Sequence, residues 1–214
     1  MKFYESGDNR KPVIFLFPGT CCLYSSFDHV LDGLHSYFYT VAVSYDGFDP
    51  NEKTEFCSME DECEKIEQEI RKKYGGRIKA AYGCSLGGSF VSLLIQRKRI
   101  HIDHGIIGSS DMDEAGHLVA KIKSSMVVPF MYKMIHTGAL PKFMQKKLNK
   151  TDEVKKELYN GFLNMFGIGK GGSPWITKQS IYNQFYSDLV TKVQHGIDVP
   201  GTTIHVFYLS LIHI

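Results

Sequence analysis

Ala80-Ala81-Tyr82-Gly83-Cys84-Ser85-Leu86-Gly87-Gly88-Ser89-Phe90 sets a serine between two glycines, where a short apolar segment gives way to a run with helical spacing. G-x-S-x-G at such a junction is the sequence form of a nucleophile elbow, and it makes Ser85 the candidate nucleophile. The glycines have a steric reason. A serine on so tight a strand-to-helix turn holds a strained backbone conformation, and side chains two positions either side of it would collide. With 20 glycines in 214 residues, the bare pattern arises by chance in roughly one such chain in seven, so the flanking sequence has to decide.

Residues 77–82 read as a short strand, and residues 87–97 carry Phe90, Val91, Leu93, Leu94 and Ile95 at spacings that suit a buried helix. Upstream, Lys11-Pro12-Val13-Ile14-Phe15-Leu16-Phe17 is a continuous apolar run of the kind expected for a strand covered on both faces. It ends in Pro18-Gly19-Thr20-Cys21-Cys22, where a glycine turn can aim main-chain N–H groups at a substrate oxygen. Further apolar runs at 37–45 and 102–108 precede Asp46-Gly47 and Ser109-Ser110-Asp111. Between them, residues 60–74 place Ile66, Ile70 and Tyr74 at helical intervals among charges that suit a solvated face. Strands alternating with helices predict an α/β architecture with a mostly parallel central sheet flanked by helices.

Over residues 12–113 the chain resembles the α/β-hydrolase family, on the strand ending in Pro18-Gly19-Thr20, the strand ending in Tyr45-Asp46-Gly47, the elbow at Ser85 and the strand ending near Asp111. The resemblance implies that Ser85 is the catalytic nucleophile. It also implies an oxyanion hole from the N–H of Leu86 and that of Thr20 or Cys21, in the loop opened by Gly19. The family often places a histidine where Pro18 stands, but backbone donors do not need it. A nucleophilic serine requires a histidine base and an orienting carboxylate. Asp111, at the end of the strand after the elbow, is the candidate acid, although Asp111 and Asp113 equally suit a helix cap. His117, His205 and His213 each have a structural reading, and none is assigned as base. Asp46 reads as part of a turn before it reads as a substrate contact.

The family places its histidine near the end of the chain, beyond a late strand that residues 202–208 resemble. On that reading the chain is a C-terminally truncated fragment with the final strand or strands missing and weak or no activity of its own. Four segments are expected. Residues 1–114 form the N-terminal part of the hydrolase core, and 115–175 form an inserted helical cap or lid, with Met126, Met131, Met134, Met144 and Met165 as flexible apolar surface. Residues 176–208 return to the core, and 209–214 are a non-native tail. The glycine-rich stretch at 167–172 reads as a hinge of the cap.

A formal charge of +2 with both signs interspersed gives no support for nucleic-acid binding. No run approaches the roughly 20 apolar residues that span a bilayer, and residues 1–11 lack an apolar signal core, so a cytoplasmic protein with no membrane span is expected. The five cysteines, Cys21, Cys22, Cys57, Cys63 and Cys84, are odd in number and lack C-x-x-C spacing, which suits free thiols, with Cys21, Cys22 and Cys84 read as packing residues. Nine histidines without H-E-x-x-H give no metal motif, and no cofactor is implied. The expected function is serine hydrolysis of an ester, thioester or similar small acyl substrate through an acyl-enzyme. The alternatives are a non-catalytic binding protein, or an acyltransferase or C–C hydrolase on the same fold.

Overall fold

A computed structural model of the chain describes residues 1–110, 114–168 and 171–207. Asp111, the candidate acid, lies outside the described residues, as do Asp113, His213 and the segment 209–214. Six strands form one sheet: β1 (Lys2–Ser6), β2 (Val13–Phe17), β3 (Tyr39–Ser44), β4 (Arg77–Cys84), β5 (His101–Gly108) and β6 (Thr203–Phe207), in the order β1-β3-β2-β4-β5-β6. β1 runs antiparallel to β3 and every other pairing is parallel, so the predicted α/β class and mostly parallel sheet are observed. The strand over Lys2–Ser6 is new. Its short, half-polar KFYES run gives little signal because it is an edge strand, with one neighbour and no buried residue.

The apolar run VIFLF becomes an inner strand, Ile14 and Leu16 facing one side and Phe15 and Phe17 the other. On the Phe15 side lie α2 (Met59–Tyr74), α3 (Leu86–Arg97) and α7 (Lys178–Val190), which share one core. On the Ile14 side lie α1 (Asp28–His35) and a short 3-10 turn, over a smaller cluster. α2 starts where Ser58 accepts the Asp61 N–H and stops at Gly75, whose φ of 63° ends the helix. It buries Met59, Cys63, Ile66 and Ile70 at intervals of three and four, the methionine and the isoleucines each contributing about 1.5–3 kcal/mol.

α2 also carries a charged cluster. Asp46, in the turn after β3, accepts from the chain's N-terminal amine and from Lys65. Wholly buried Glu62 accepts from Lys65 at 2.8 Å and from the Asp46 N–H at 3.0 Å. Asp46 is thus a turn and ion-pair residue. Burial raises the Glu62 pKa to about 7, outweighing the pull of Lys65. A carboxyl whose folded pKa exceeds its unfolded one opposes folding once ionised. Stability is therefore expected to fall as pH rises from about 4.5 to 7, at up to about 1.4 kcal/mol per unit. Urea denaturation at pH 5 and pH 8 checks this, and Glu62→Gln is expected to flatten the slope; an unchanged slope counts against the assignment.

The segment expected as a cap carries α4 (His117–Thr137), α5 (Lys142–Leu148) and α6 (Glu153–Asn164). α4 buries Ala120, Ser124 and Val128, one row at four-residue spacing, and lies along α7. Among the expected methionines, Met134 is buried and Met126 is exposed. In the glycine stretch, Gly172 is closely packed. Ser173 N–H donates to Ile135 O at 2.7 Å, and a Cβ on Gly138 would sit 2.3 Å from Gly172 N, so close backbone approach accounts for Gly172, whereas a Cβ on Gly171 would meet nothing within 4 Å. Half-buried Trp175 follows, its indole N–H donating to Phe48 O at 3.4 Å. Among the described residues, no helix is long and apolar enough to cross a membrane, and no three His, Cys, Asp or Glu side chains come together as a metal site.

Candidate active site

Ser85 stands between the end of β4 and the first residue of α3 with φ 54° and ψ −126°, a region of backbone space that costs a non-glycine residue about 1–3 kcal/mol. Neighbouring backbone holds it there. Ser85 N–H donates to Gly108 O at 2.9 Å, and Gly88 N–H donates to Ser85 O at 2.8 Å. The steric argument for the glycines is explicit in the structure. A Cβ on Gly83 would lie 2.0 Å from Gly87 O, and one on Gly87 would lie 2.1 Å from Phe17 O. Ser85 itself is exposed, whereas Leu86 after it is buried. As the first residue of α3, Leu86 has an N–H without an intrahelical acceptor.

The loop after β2 approaches from the other side. A Cβ on Gly19 would sit 3.3 Å from Cys84 O and 3.6 Å from Ser85 Cβ, which places residues 19–20 directly beside the elbow. Cys22 N–H donates back to Gly19 O at 3.0 Å, closing a turn, and Cys21 N–H donates to the Gln184 side chain at 2.6 Å. Thr20 N–H makes no hydrogen bond among the described residues. Of the two loop donors expected from sequence, Cys21 is engaged and Thr20 is open.

Cys21 and Cys22 are buried, and burial pushes the Cys21 thiol well up and that of Cys22 to about 12. Burial likewise raises Cys84. These thiols stay protonated near neutrality and act as packing groups, not nucleophiles.

Ser85 and Thr20 open into a cleft of about 450 Å³ walled by Lys123, Ser124, Met126 and Val127 of α4 and by Phe185, Asp188 and Leu189 of α7. The wall is largely apolar, with one cation and one carboxylate. A second cavity of about 450 Å³, on the α1 side of the sheet, is lined by Ile14, Leu16, Phe27, Tyr82 and Ile106 and does not contain Ser85. Neither α7 side chains nor Lys123 stood out in the sequence, because their role comes from packing between segments distant in the chain.

The histidines sit elsewhere. His117 Nδ1 lies 2.9 Å from Tyr186 Oη, and His205 on β6 lies 3.2 Å from His104 on β5. Among the described residues no imidazole hydrogen-bonds Ser85.

A mostly parallel sheet with a serine in a glycine-flanked strand-to-helix turn, faced by the loop after a central strand, decides the architecture. The chain has the α/β-hydrolase fold. It is similar to a protein from Desulfitobacterium hafniense assigned to the α/β-hydrolase family, with a TM-score of 0.69 and 14% identity over 97% of this chain and 90% of that one. It is also similar to a carboxylesterase from Nitrososphaera gargenis (TM-score 0.68, 14% identity, 97% and 75% covered). A third similar structure is the enol-lactonase from Burkholderia xenovorans LB400 (TM-score 0.65, 12% identity, 97% and 87% covered). No family model matches the sequence, and no curated protein does. At such identities the α/β-hydrolase likeness is one of fold, and chemistry has to be argued from the site.

Proposed function

We propose that this chain is a serine hydrolase of the α/β-hydrolase fold acting on an ester, thioester or similar small acyl compound. The observation that carries the reading is the strained, exposed Ser85, fixed by two glycines that admit no side chain. Backbone strain of this kind persists where it serves a function.

Ser85 Oγ attacks the carbonyl carbon, and the resulting oxyanion takes the N–H of Leu86 and of Thr20. Collapse expels the alcohol or thiol and leaves an acyl-enzyme, which water cleaves. The apolar wall of Met126, Val127, Phe185 and Leu189 suits an acyl chain, with the helices of 115–175 as a lid over the cleft. The Ser85 proton needs a general base, and among the described residues no histidine is bonded to it, so no histidine is proposed as that base. Asp111 remains the proposed acid.

Labelling by a fluorophosphonate probe, on protein carrying its natural C-terminal sequence, tests this reading. Wild-type protein is expected to label and Ser85→Ala to stay unlabelled. A well-folded wild type that does not label sinks the hydrolase reading and favours a binding protein on the same fold.

A further inference from the structure

Gln184 is fully buried in α7, yet its amide is only half satisfied. Oε1 accepts the Cys21 N–H at 2.6 Å, while Nε2 is buried without a hydrogen-bond partner. An orphaned buried donor costs about 1–3 kcal/mol, and methionine or leucine would fill the same space without it. What Gln184 does hold is unusual. The Gly19–Cys22 bond closes a four-residue turn, and its third residue, Cys21, has φ 59°, a conformation favouring glycine, although its buried side chain fills core space. A positive φ at that position marks the type II class of turn; rotating the central peptide by about 180° converts it to type I and removes the strain. That rotation exchanges the sides on which the Thr20 carbonyl and the Cys21 N–H lie. The two forms present opposite dipoles in the loop beside Ser85, and the bond to Gln184 selects the strained one.

We propose that Gln184 is a positioning residue of the oxyanion pocket. Through Cys21 it holds the Gly19–Cys22 turn in its strained form and leaves Thr20 N–H as the loop's donor to the substrate oxyanion. The inference rests on the reading of Ser85 as nucleophile. No sequence pattern announces it, because positions 21 and 184 are 163 residues apart.

The test compares Gln184→Met, which lacks the acceptor, with Gln184→Glu, which keeps an oxygen for the Cys21 N–H and has no Nε2. Fluorophosphonate concentration is varied to separate the maximal labelling rate from the half-saturating concentration, at a temperature where circular dichroism shows both variants folded. Gln184→Met is expected to lower the maximal rate about 10- to 100-fold, below the loss of an entire oxyanion donor, with half-saturation nearly unchanged. Gln184→Glu is expected to recover most of it. Wild-type rates in Gln184→Met, or equal loss in both folded variants, overturn the proposal. Absence of labelling in the wild type itself removes the Ser85 reading, and this inference with it.

Discussion

Ser85→Ala is expected to lower acyl-ester turnover by about three to six orders of magnitude without moving the thermal midpoint, and Ser85→Gly to be equally inactive but more stable than either. The activity loss follows from removing the attacking oxygen. The stability pattern follows from the backbone. The Ser85 N–H and carbonyl bonds to Gly108 and Gly88 are main-chain bonds that every variant keeps. Alanine retains the Cβ that makes φ 54°, ψ −126° costly, so the strain stays. Glycine releases it, less its own larger unfolded-state entropy, for a net gain of about 1–2 kcal/mol. For a chain of this size that is a rise of about 2–8 °C. Calorimetry on the three proteins checks it, and a Ser85→Gly midpoint at or below that of wild type would show that the elbow stores no strain.

Gly87→Ala is expected to leave little folded protein. The added methyl would lie 2.1 Å from Phe17 O, 2.9 Å from Phe17 C and 3.1 Å from Pro18 O, all backbone at the end of a central strand that cannot rotate away as a side chain can. Gly83→Ala meets the backbone of Gly87 and Gly88 just as closely. Each substitution forces β2, β4 and α3 apart at their junction, at a cost above about 4 kcal/mol. Gly161→Ala in α6, where a Cβ meets nothing within 4 Å, is the control and is expected to stabilise by up to about 1 kcal/mol. Soluble yield and urea midpoints distinguish them. A Gly87→Ala protein with wild-type stability would rule out the described packing of the elbow.

The elbow was legible in the sequence because its causes are local. Glycine, serine and a change of hydrophobic period all fall within eleven residues, and the strands at β2, β3 and β5 announced themselves as apolar runs. β1 was not legible, since an edge strand is only partly covered and KFYES offers little more than Phe3 on one face and Tyr4 on the other. The glycine loop at 18–22 was legible as a turn, but that Cys21 N–H is bonded and Thr20 N–H is not depends on Gln184, which is invisible until α7 is folded against the loop. Lys123 and Asp188 entered the cleft the same way, through the packing of α4 on α7. The close packing of Gly172 against Gly138 was not legible either, because sequence shows that glycine is present, not whether the need is freedom or closeness.

Trp175 is the chain's one tryptophan, and its indole bond to Phe48 O ties the end of the helical excursion to the loop after β3. Intrinsic emission excited at the indole band therefore reads that junction alone. A ligand entering the cleft without disturbing the junction leaves the spectrum unchanged, while any lifting of the helices that breaks the indole bond shifts it. The native protein thus carries its own optical gauge of whether helices α4 to α6 and the sheet move as one body.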